Sequence, residues 1–126
     1  MTRTRRILIV DDSATVRSFY KRALQSGAYE IDEAQNGIEG IELALMHNYD
    51  VLLVDVNMAK MDGYDFVRTV RSAPNELTIP IIMITSEQDS KDRRAAYQAG
   101  ANLFVLKPVK GQQLAELVHL VTGGAA

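Results

Sequence analysis

Two short apolar runs of this sequence each end directly in acidic residues. Ile7–Val10 is followed by Asp11 and Asp12, and Val51–Val54 is followed by Asp55. A branched aliphatic run of about four to six residues indicates a strand that is buried on both faces. If the two runs form neighbouring parallel strands, the three carboxylates meet at the carboxyl-terminal edge of one sheet, where open α/β folds place their ligands.

Three carboxylates so close together repel one another and need a cation or a shared proton. Because all the candidate ligands are oxygens and the chain has no cysteine, a hard divalent ion such as Mg²⁺ is favoured. Asp11 and Asp12 taken alone could be structural, since Asp is a common helix cap. Asp55 is harder to explain in that way, because a dry, unpaired carboxylate after four apolar residues would be costly.

Further polar side chains are predicted at the same edge of the sheet. Thr85 and Ser86 follow a fourth apolar run, and Lys107 follows a fifth. A hydroxyl and an ammonium group can bind phosphoryl oxygens, and carboxylates serve as nucleophiles in phosphoryl transfer. An acyl phosphate on Asp55 would add negative charge that a divalent metal and Lys107 are placed to absorb.

The elements that must position these residues alternate regularly between strand and helix. The predicted strands span residues 5–10, 30–34, 51–55, 81–85 and 103–106, and the predicted helices span residues 14–25, 38–47, 64–72, 91–99 and 112–121. The first helix is expected to be capped at Asp12 or Ser13 and to close at Gly27, and Pro74 and Pro80 frame a loop. This alternation predicts an α/β fold with a doubly wound parallel sheet covered by helices on both faces.

Length and composition limit the classes of protein to consider. The 126 residues are 47% hydrophobic and 24% charged, which predicts a single globular domain over residues 1–126. A net charge of −2 gives no indication of nucleic-acid binding. No apolar run approaches a membrane span, so we expect no membrane insertion, and the absence of cysteine is compatible with a cytoplasmic location.

The residues at these strand ends resemble those of a known family, the receiver domains of two-component response regulators, over essentially the full length. The matching positions are Asp11-Asp12, Asp55, Asn57, the Met58–Gly63 loop, Thr85, Phe104 and Lys107-Pro108. The resemblance implies a five-stranded sheet of flavodoxin-like order 2-1-3-4-5. It also implies a phosphorylation-activated switch without an output domain of its own, similar to the single-domain regulators of chemotaxis.

The resemblance also implies roles for the acidic residues. Asp55 would be the phosphoacceptor, with a phosphohistidine in a sensor histidine kinase or phosphotransfer protein as the donor. Asp12, Asp55 and the backbone carbonyl of Asn57 would bind Mg²⁺, with Asp11 acting through water. The protein would then be a regulatory domain that catalyses only its own phosphotransfer and dephosphorylation, and Asn57 with Glu87 resembles the polar pair of fast-decaying chemotaxis receivers.

By the same likeness, Thr85 and Lys107 would contact the phosphoryl oxygens and the Lys107-Pro108 bond would be cis. Thr85 and Phe104 would form the switch, although Phe104 also fits a core residue of the fifth strand. Two positions depart from the family pattern: Ala59 replaces the usual proline, and Phe104 lacks the hydroxyl of the frequent tyrosine. A downstream protein is expected to bind the face of the fourth helix, fifth strand and fifth helix, around Arg94, Tyr97, Phe104 and Lys110.

Two other functions fit part of this pattern. A magnesium-dependent phosphohydrolase of the haloacid dehalogenase type would also use Asp55 as its nucleophile, but that family has a second Asp two residues on, where this chain has Asn57. A flavodoxin-like cofactor binder would need a phosphate-binding loop after the first strand, and Asp11-Asp12 would instead repel a phosphate.

Overall fold

Strands and helices alternate five times along the chain. The computed structural model describes residues 4–25, 27–72, 78–86 and 90–123, with the backbone alone for residues 90–92. The strands are β1 (Arg5–Val10), β2 (Tyr29–Ala34), β3 (Val51–Asp55), β4 (Ile81–Thr85) and β5 (Leu103–Leu106). The helices are α1 (Ala14–Ala23), α2 (Gly37–Met46), α3 (Gly63–Arg71), α4 (Ser90–Ala99) and α5 (Gly111–Val121).

The five strands form one parallel sheet in the order β2-β1-β3-β4-β5. Val10 at the end of β1 pairs with Ala34 of β2 and Val54 of β3, and Thr85 at the end of β4 pairs with Leu106 of β5. The strand ends are therefore level with one another, and the residues that follow them meet at one edge. The predicted doubly wound sheet of order 2-1-3-4-5 is confirmed.

The core lies on both faces of the sheet. One face carries Leu8, Val10, Leu52, Val54 and Met83 against α2, α3 and α4, and the other carries Ile7, Ile9, Leu53 and Ile84 against α1 and α5. Every residue of β3 and β4 is buried. This two-sided burial explains why the apolar runs in the sequence are continuous rather than alternating.

Strands β1, β3, β4 and β5 have the predicted bounds, whereas the bounds of β2 and of the helices differ from the predicted ones by one or two residues. Helix α1 ends at Ala23 with Leu24 as its C-cap, and the chain then leaves in short turns in which Gln25 bonds to Arg22 and Gly27 bonds to Leu24. Gly27 therefore follows the helix at a distance and does not cap it. Pro74 lies outside the described residues. Within the part of the chain that is described, no helix is long and apolar enough to cross a membrane.

Three of the later helices begin at a glycine, one residue before the predicted start. These glycines, Gly37, Gly63 and Gly111, occupy the first helical position after the N-cap. In α2 and α3 the cap is a polar side chain, Asn36 or Asp62, that accepts a backbone N–H from the first turn. Glycine is a poor helix former in an interior, so the pattern of apolar residues placed the start too late.

Candidate functional site

Three carboxylates converge at the carboxyl-terminal edge of the sheet. Asp11 and Asp12 follow β1 and Asp55 ends β3, and one oxygen of each lies within 4.8 Å of the others. Asp11 is 1% exposed and Asp55 is 7% exposed, whereas Asp12 faces solvent. The three carboxylates are therefore close together, as expected from the sequence, and two of them are buried while the third is exposed to solvent.

The turn after β1 holds Asp11 in a fixed orientation. Its backbone N–H donates to the carbonyl of Ala34 in β2 at 3.1 Å, and its Oδ1 accepts the backbone N–H of Ser13 at 2.9 Å. Ser13, one of the two predicted caps, is the N-cap of α1 and accepts the N–H of Val16 at 3.2 Å. The buried Oδ2 of Asp11 has no hydrogen-bond partner among the described residues.

Lys107 supplies the positive charge of the site. Its Nζ lies 3.2 Å from Oδ1 of Asp55 and 3.8 Å from Oδ2 of Asp11. Its backbone N–H donates to the carbonyl of Thr85 at 2.6 Å, which ties the end of β5 to the end of β4. The Lys107-Pro108 bond is cis, as the resemblance implied.

Asp11 and Asp55 are held largely out of water, and this raises the pKa of both carboxyl groups. Burial raises the pKa of Asp55 to about 6, and the neighbouring Asp11 adds to the effect while Lys107 opposes it. Burial likewise raises the pKa of Asp11, against the opposing influence of the Ser13 N–H and of Lys107. The pKa of the Tyr20 phenol is raised by its burial and by the negative charges of Asp11 and Asp55.

The loop between β3 and α3 folds closely over Asp55. Gly63 donates its N–H to the carbonyl of Val56 at 2.8 Å, and a Cβ at Gly63 would lie 2.4 Å from the carbonyl oxygen of Asp55. No larger residue fits there without moving the backbone next to the carboxylate. Asn57, the expected carbonyl ligand, lies in this loop with an exposed side chain.

The position of Ala59, where the family usually has proline, lies in a tight turn of the same loop. Lys60 has a positive φ of 73°, and the N–H of Met61 donates to the carbonyl of Ala59 at 2.8 Å. This three-residue hydrogen bond around a positive φ gives the loop a defined bend without a proline.

The two residues predicted to form the switch are both buried. Thr85 is 0% exposed at the end of β4, and Phe104 is 6% exposed in the core beneath α4. The guanidinium of Arg93 lies 5.2 Å from the centre of the Phe104 ring. Phe104 therefore faces inward and is covered by an arginine, while Tyr97 on α4 is 44% exposed.

Two residues close to the acidic cluster were missed by sequence reasoning. Arg17 of α1 donates from Nη1 to the backbone carbonyl of Asp11 at 2.7 Å. Tyr20 is buried, and the negative charges of Asp11 and Asp55 raise the pKa of its phenol. Arg17 comes four residues after the cap Ser13, so a basic side chain one turn into the helix after an acidic pair was the available signal. Glu87, which the resemblance pairs with Asn57, lies outside the described residues.

The donor set fits a metal ion. The three acids could hold one, since they offer hard oxygen atoms within 4.8 Å of one another. The buried Oδ2 of Asp11, which accepts no hydrogen bond among the described residues, is the kind of atom that a cation or a bound water would satisfy.

Comparisons with known proteins agree with this geometry. A family model for the response regulator receiver domain matches residues 7–119. Chemotaxis protein CheY1 of Helicobacter pylori is 41% identical over 121 residues, covering 94% of this chain and 97% of that protein. The sensor histidine kinase CheAY of the same organism is 34% identical over 114 residues, covering 89% of this chain but 14% of that protein.

The comparison with solved structures also indicates a receiver domain. Chemotaxis protein CheY4 of Vibrio cholerae superimposes with a TM-score of 0.88 at 31% identity, covering 94% of this chain and 99% of that one. Neither the fold order nor the site favours a phosphohydrolase, since the position two residues after Asp55 is Asn57. The sheet order, the acids and lysine at its edge and the match over residues 7–119 place the chain in the receiver domain family of two-component response regulators, as a phosphoacceptor switch similar to the chemotaxis regulators.

Proposed function

We propose that residues 1–126 work as one receiver domain in which Asp55 accepts the phosphoryl group. The observation that carries the proposal is the convergence of Asp55 with a lysine ammonium and two further carboxylates at the open edge of the sheet. The donor would be a phosphohistidine of a sensor histidine kinase or a phosphotransfer protein.

In the proposed transfer, a carboxylate oxygen of Asp55 bonds to phosphorus as the P–N bond of the phosphohistidine breaks. The electron pair of that bond returns to the imidazole nitrogen, and the product on the protein is an acyl phosphate. Lys107 is already 3.2 Å from Asp55, so its ammonium lies within reach of the new phosphoryl oxygens. The hydroxyl of Thr85, at the end of the neighbouring strand, is the second proposed contact to these oxygens.

Mg²⁺ is the metal that we propose for the acidic cluster. Asp12 and Asp55 with the backbone carbonyl of Asn57 would hold it directly, and Asp11 would act through water. When bound, Mg²⁺ supplies positive charge to the transferring phosphoryl group. Support comes from the hard oxygen donors and from the unsatisfied Oδ2 of Asp11.

The output surface that we propose is the face of α4, β5 and α5. Arg94, Tyr97 and Lys110 are exposed on it, and Phe104 lies just beneath it. Movement of Thr85 towards a phosphoryl oxygen would change the packing around Phe104 and hence the shape of this face. A downstream protein would recognise that change.

We also propose that the phosphorylated state is short-lived because the domain removes its own phosphoryl group. Asn57 is exposed two residues after Asp55, which leaves a polar path for water to reach phosphorus. Asn57→Leu should then slow the loss of the phosphoryl group from the radiolabelled, phosphorylated protein several-fold. An unchanged rate of loss would refute this role of Asn57.

The phosphoacceptor is tested by labelling the protein with acetyl phosphate and Mg²⁺ and measuring intact mass. The wild type should gain one phosphoryl group that is lost in mild base, as expected of an acyl phosphate. Asp55→Asn should gain none, because an amide is a poor nucleophile at neutral pH. Asp62→Asn is the matched control, since Asp62 is an exposed carboxylate seven positions along whose capping oxygen is kept in Asn. Undiminished labelling of Asp55→Asn would refute the assignment.

A further inference from the structure

The turn that carries the acidic pair is held from the side by two charged residues that belong to no part of the site itself. Arg17 of α1 donates from Nη1 to the backbone carbonyl of Asp11 at 2.7 Å and from Nε to Oε1 of Glu33 at 3.0 Å. Glu33 lies in β2, next to Ala34, whose carbonyl accepts the N–H of Asp11. One short segment of the edge strand therefore fixes the turn both directly and through Arg17.

The contact to the Asp11 carbonyl has a geometric consequence. The carbonyl and the Cα of the next residue lie in one rigid peptide plane, so a donor that fixes the carbonyl also fixes the start of Asp12. The Asp11 N–H, carbonyl and Oδ1 all have partners, and Asp12 is the exposed member of the pair with its side chain at the mouth of the site. Asp12 is thus directed by the orientation of the peptide that precedes it.

We propose that Arg17, clamped by Glu33, is a positioning residue for the metal site, which it serves by orienting the Asp11–Asp12 peptide so that the Asp12 carboxylate faces Asp11 and Asp55. This inference rests on the proposed Mg²⁺ site. The side chain of Arg17 is only 15% exposed, and two nitrogens of its planar guanidinium, Nε and Nη1, donate to two different acceptors. The orientation of the guanidinium is therefore fixed. Hydrogen bonds made directly to a metal ligand typically change metal affinity by about 10- to 100-fold, and we expect the lower end of that range because Arg17 acts on Asp12 through the peptide.

Charge and positioning predict opposite results, which makes the inference testable. Arg17 carries a positive charge close to a site for a cation, so its removal should tighten Mg²⁺ binding if simple electrostatics decides. If its hydrogen bond to the Asp11 carbonyl decides, its removal should weaken binding.

The experiment measures Mg²⁺ affinity by isothermal titration calorimetry on the unphosphorylated, metal-stripped protein. We expect Arg17→Met, which keeps the apolar stem, to bind Mg²⁺ about tenfold more weakly than the wild type. Lys21→Met is the matched control, because Lys21 also pairs with Glu33, at 3.0 Å, but has no bond to Asp11. It removes the same charge and should bind as tightly as the wild type or slightly more tightly.

Three results would overturn the proposal. Equal affinities of Arg17→Met and Lys21→Met would do so, as would tighter binding by Arg17→Met. A wild type that binds no Mg²⁺ would overturn the proposed metal site and this inference with it, and the wild-type titration separates that case from the first two. Thermal melts without metal verify that the variants are folded. If Arg17→Met is not, Arg17→Lys replaces it: lacking the fork, it should bind more weakly than the wild type, and wild-type affinity would refute the clamp.

Discussion

Lys107 and Asp55 are 52 residues apart in the chain, yet the lysine Nζ lies 3.2 Å from a carboxylate oxygen of the aspartate. Their strands are separated in the sheet by β4, so the lysine side chain reaches across the end of that strand. The pair forms although Asp55 is almost fully buried, and Asp11 adds a second negative charge beside it. The lysine offsets part of a repulsion that the fold itself creates.

The raised pKa of Asp55 predicts that this carboxylate destabilises the metal-free protein at neutral pH. The pKa is about 6 in the folded state, above its value of 3.8 in the absence of the fold, so folding favours the protonated form. Asp55→Asn, which never ionises, should therefore be more stable than the wild type by about 1–3 kcal/mol at pH 7 in EDTA. The advantage should shrink as the pH falls through 6 towards 4, where the wild-type carboxyl takes up its proton. Urea melts at several pH values measure this, and a pH-independent difference would contradict it.

Removal of the metal or of its exposed ligand should stop phosphorylation. Asp12→Ala should weaken Mg²⁺ binding by about tenfold or more and slow labelling by acetyl phosphate, and EDTA should abolish labelling of the wild type. Asp62→Asn removes an equal charge outside the cluster and should behave as the wild type. Labelling that proceeds equally well in EDTA would show that the acids have another role.

Gly63 is predicted to be required for the loop over Asp55. A Cβ there would approach the Asp55 carbonyl oxygen to 2.4 Å and the Val56 Cα to 2.8 Å, so Gly63→Ala must displace backbone. We expect a loss of about 1–3 kcal/mol in the free energy of unfolding and slower phosphorylation. Gly111→Ala is the control, since its Cβ would meet only Ala23 at 3.2 Å and Ala is the better helix former. Equal stabilities of the two variants in chemical denaturation would argue against a special role for Gly63.

Arg93 is predicted to hold Phe104 in its inward position. An arginine over an aromatic ring at the surface contributes about 0.5–1 kcal/mol, so Arg93→Ala should destabilise the protein by that amount and free the ring. NMR spectra of the Phe104 ring should then show faster flipping or averaged shifts. Arg94→Ala removes an exposed neighbouring arginine and should leave the ring signals unchanged. If the two variants perturb the ring equally, the stacked arginine is not what retains it.

The coupling between the site and the output face is predicted to pass through the Thr85 hydroxyl. Thr85→Ala should still accept a phosphoryl group but should show a reduced shift of the Phe104 and Tyr97 NMR signals on phosphorylation. A shift from a mostly inactive to a mostly active population requires roughly 5 kcal/mol of differential interaction between the two states. The proposed hydrogen bond from the Thr85 hydroxyl to a phosphoryl oxygen would supply part of it. Thr85→Ser keeps the hydroxyl and should respond as the wild type. Identical shifts in wild type and Thr85→Ala would disprove this route.

The fold and the acidic cluster were predictable because continuous apolar runs such as Val51–Val54 leave few alternatives to buried parallel strands. Positions set by close approach were not predictable in the same way. The early end of α1 before Gly27 depends on turns that propensity does not encode, and the starts at Gly37 and Gly63 contradict average helix preference. For the Arg17 contact the sequence offers only a basic side chain one turn after the acidic pair, because the acceptor is a backbone carbonyl and does not depend on residue type.

The burial of Asp55 also affects the chemistry of the signal. Burial removes water from the oxygens of Asp55, and a poorly hydrated carboxylate oxygen is a better nucleophile towards phosphorus than a fully hydrated one. The same oxygen is a poorer leaving group, so burial slows the loss of the acyl phosphate to water and opposes the loss that we propose Asn57 permits. We therefore expect substitutions in the core beneath Asp55 to alter both the rate of phosphorylation and the duration of the signal, without changing any residue that touches phosphate.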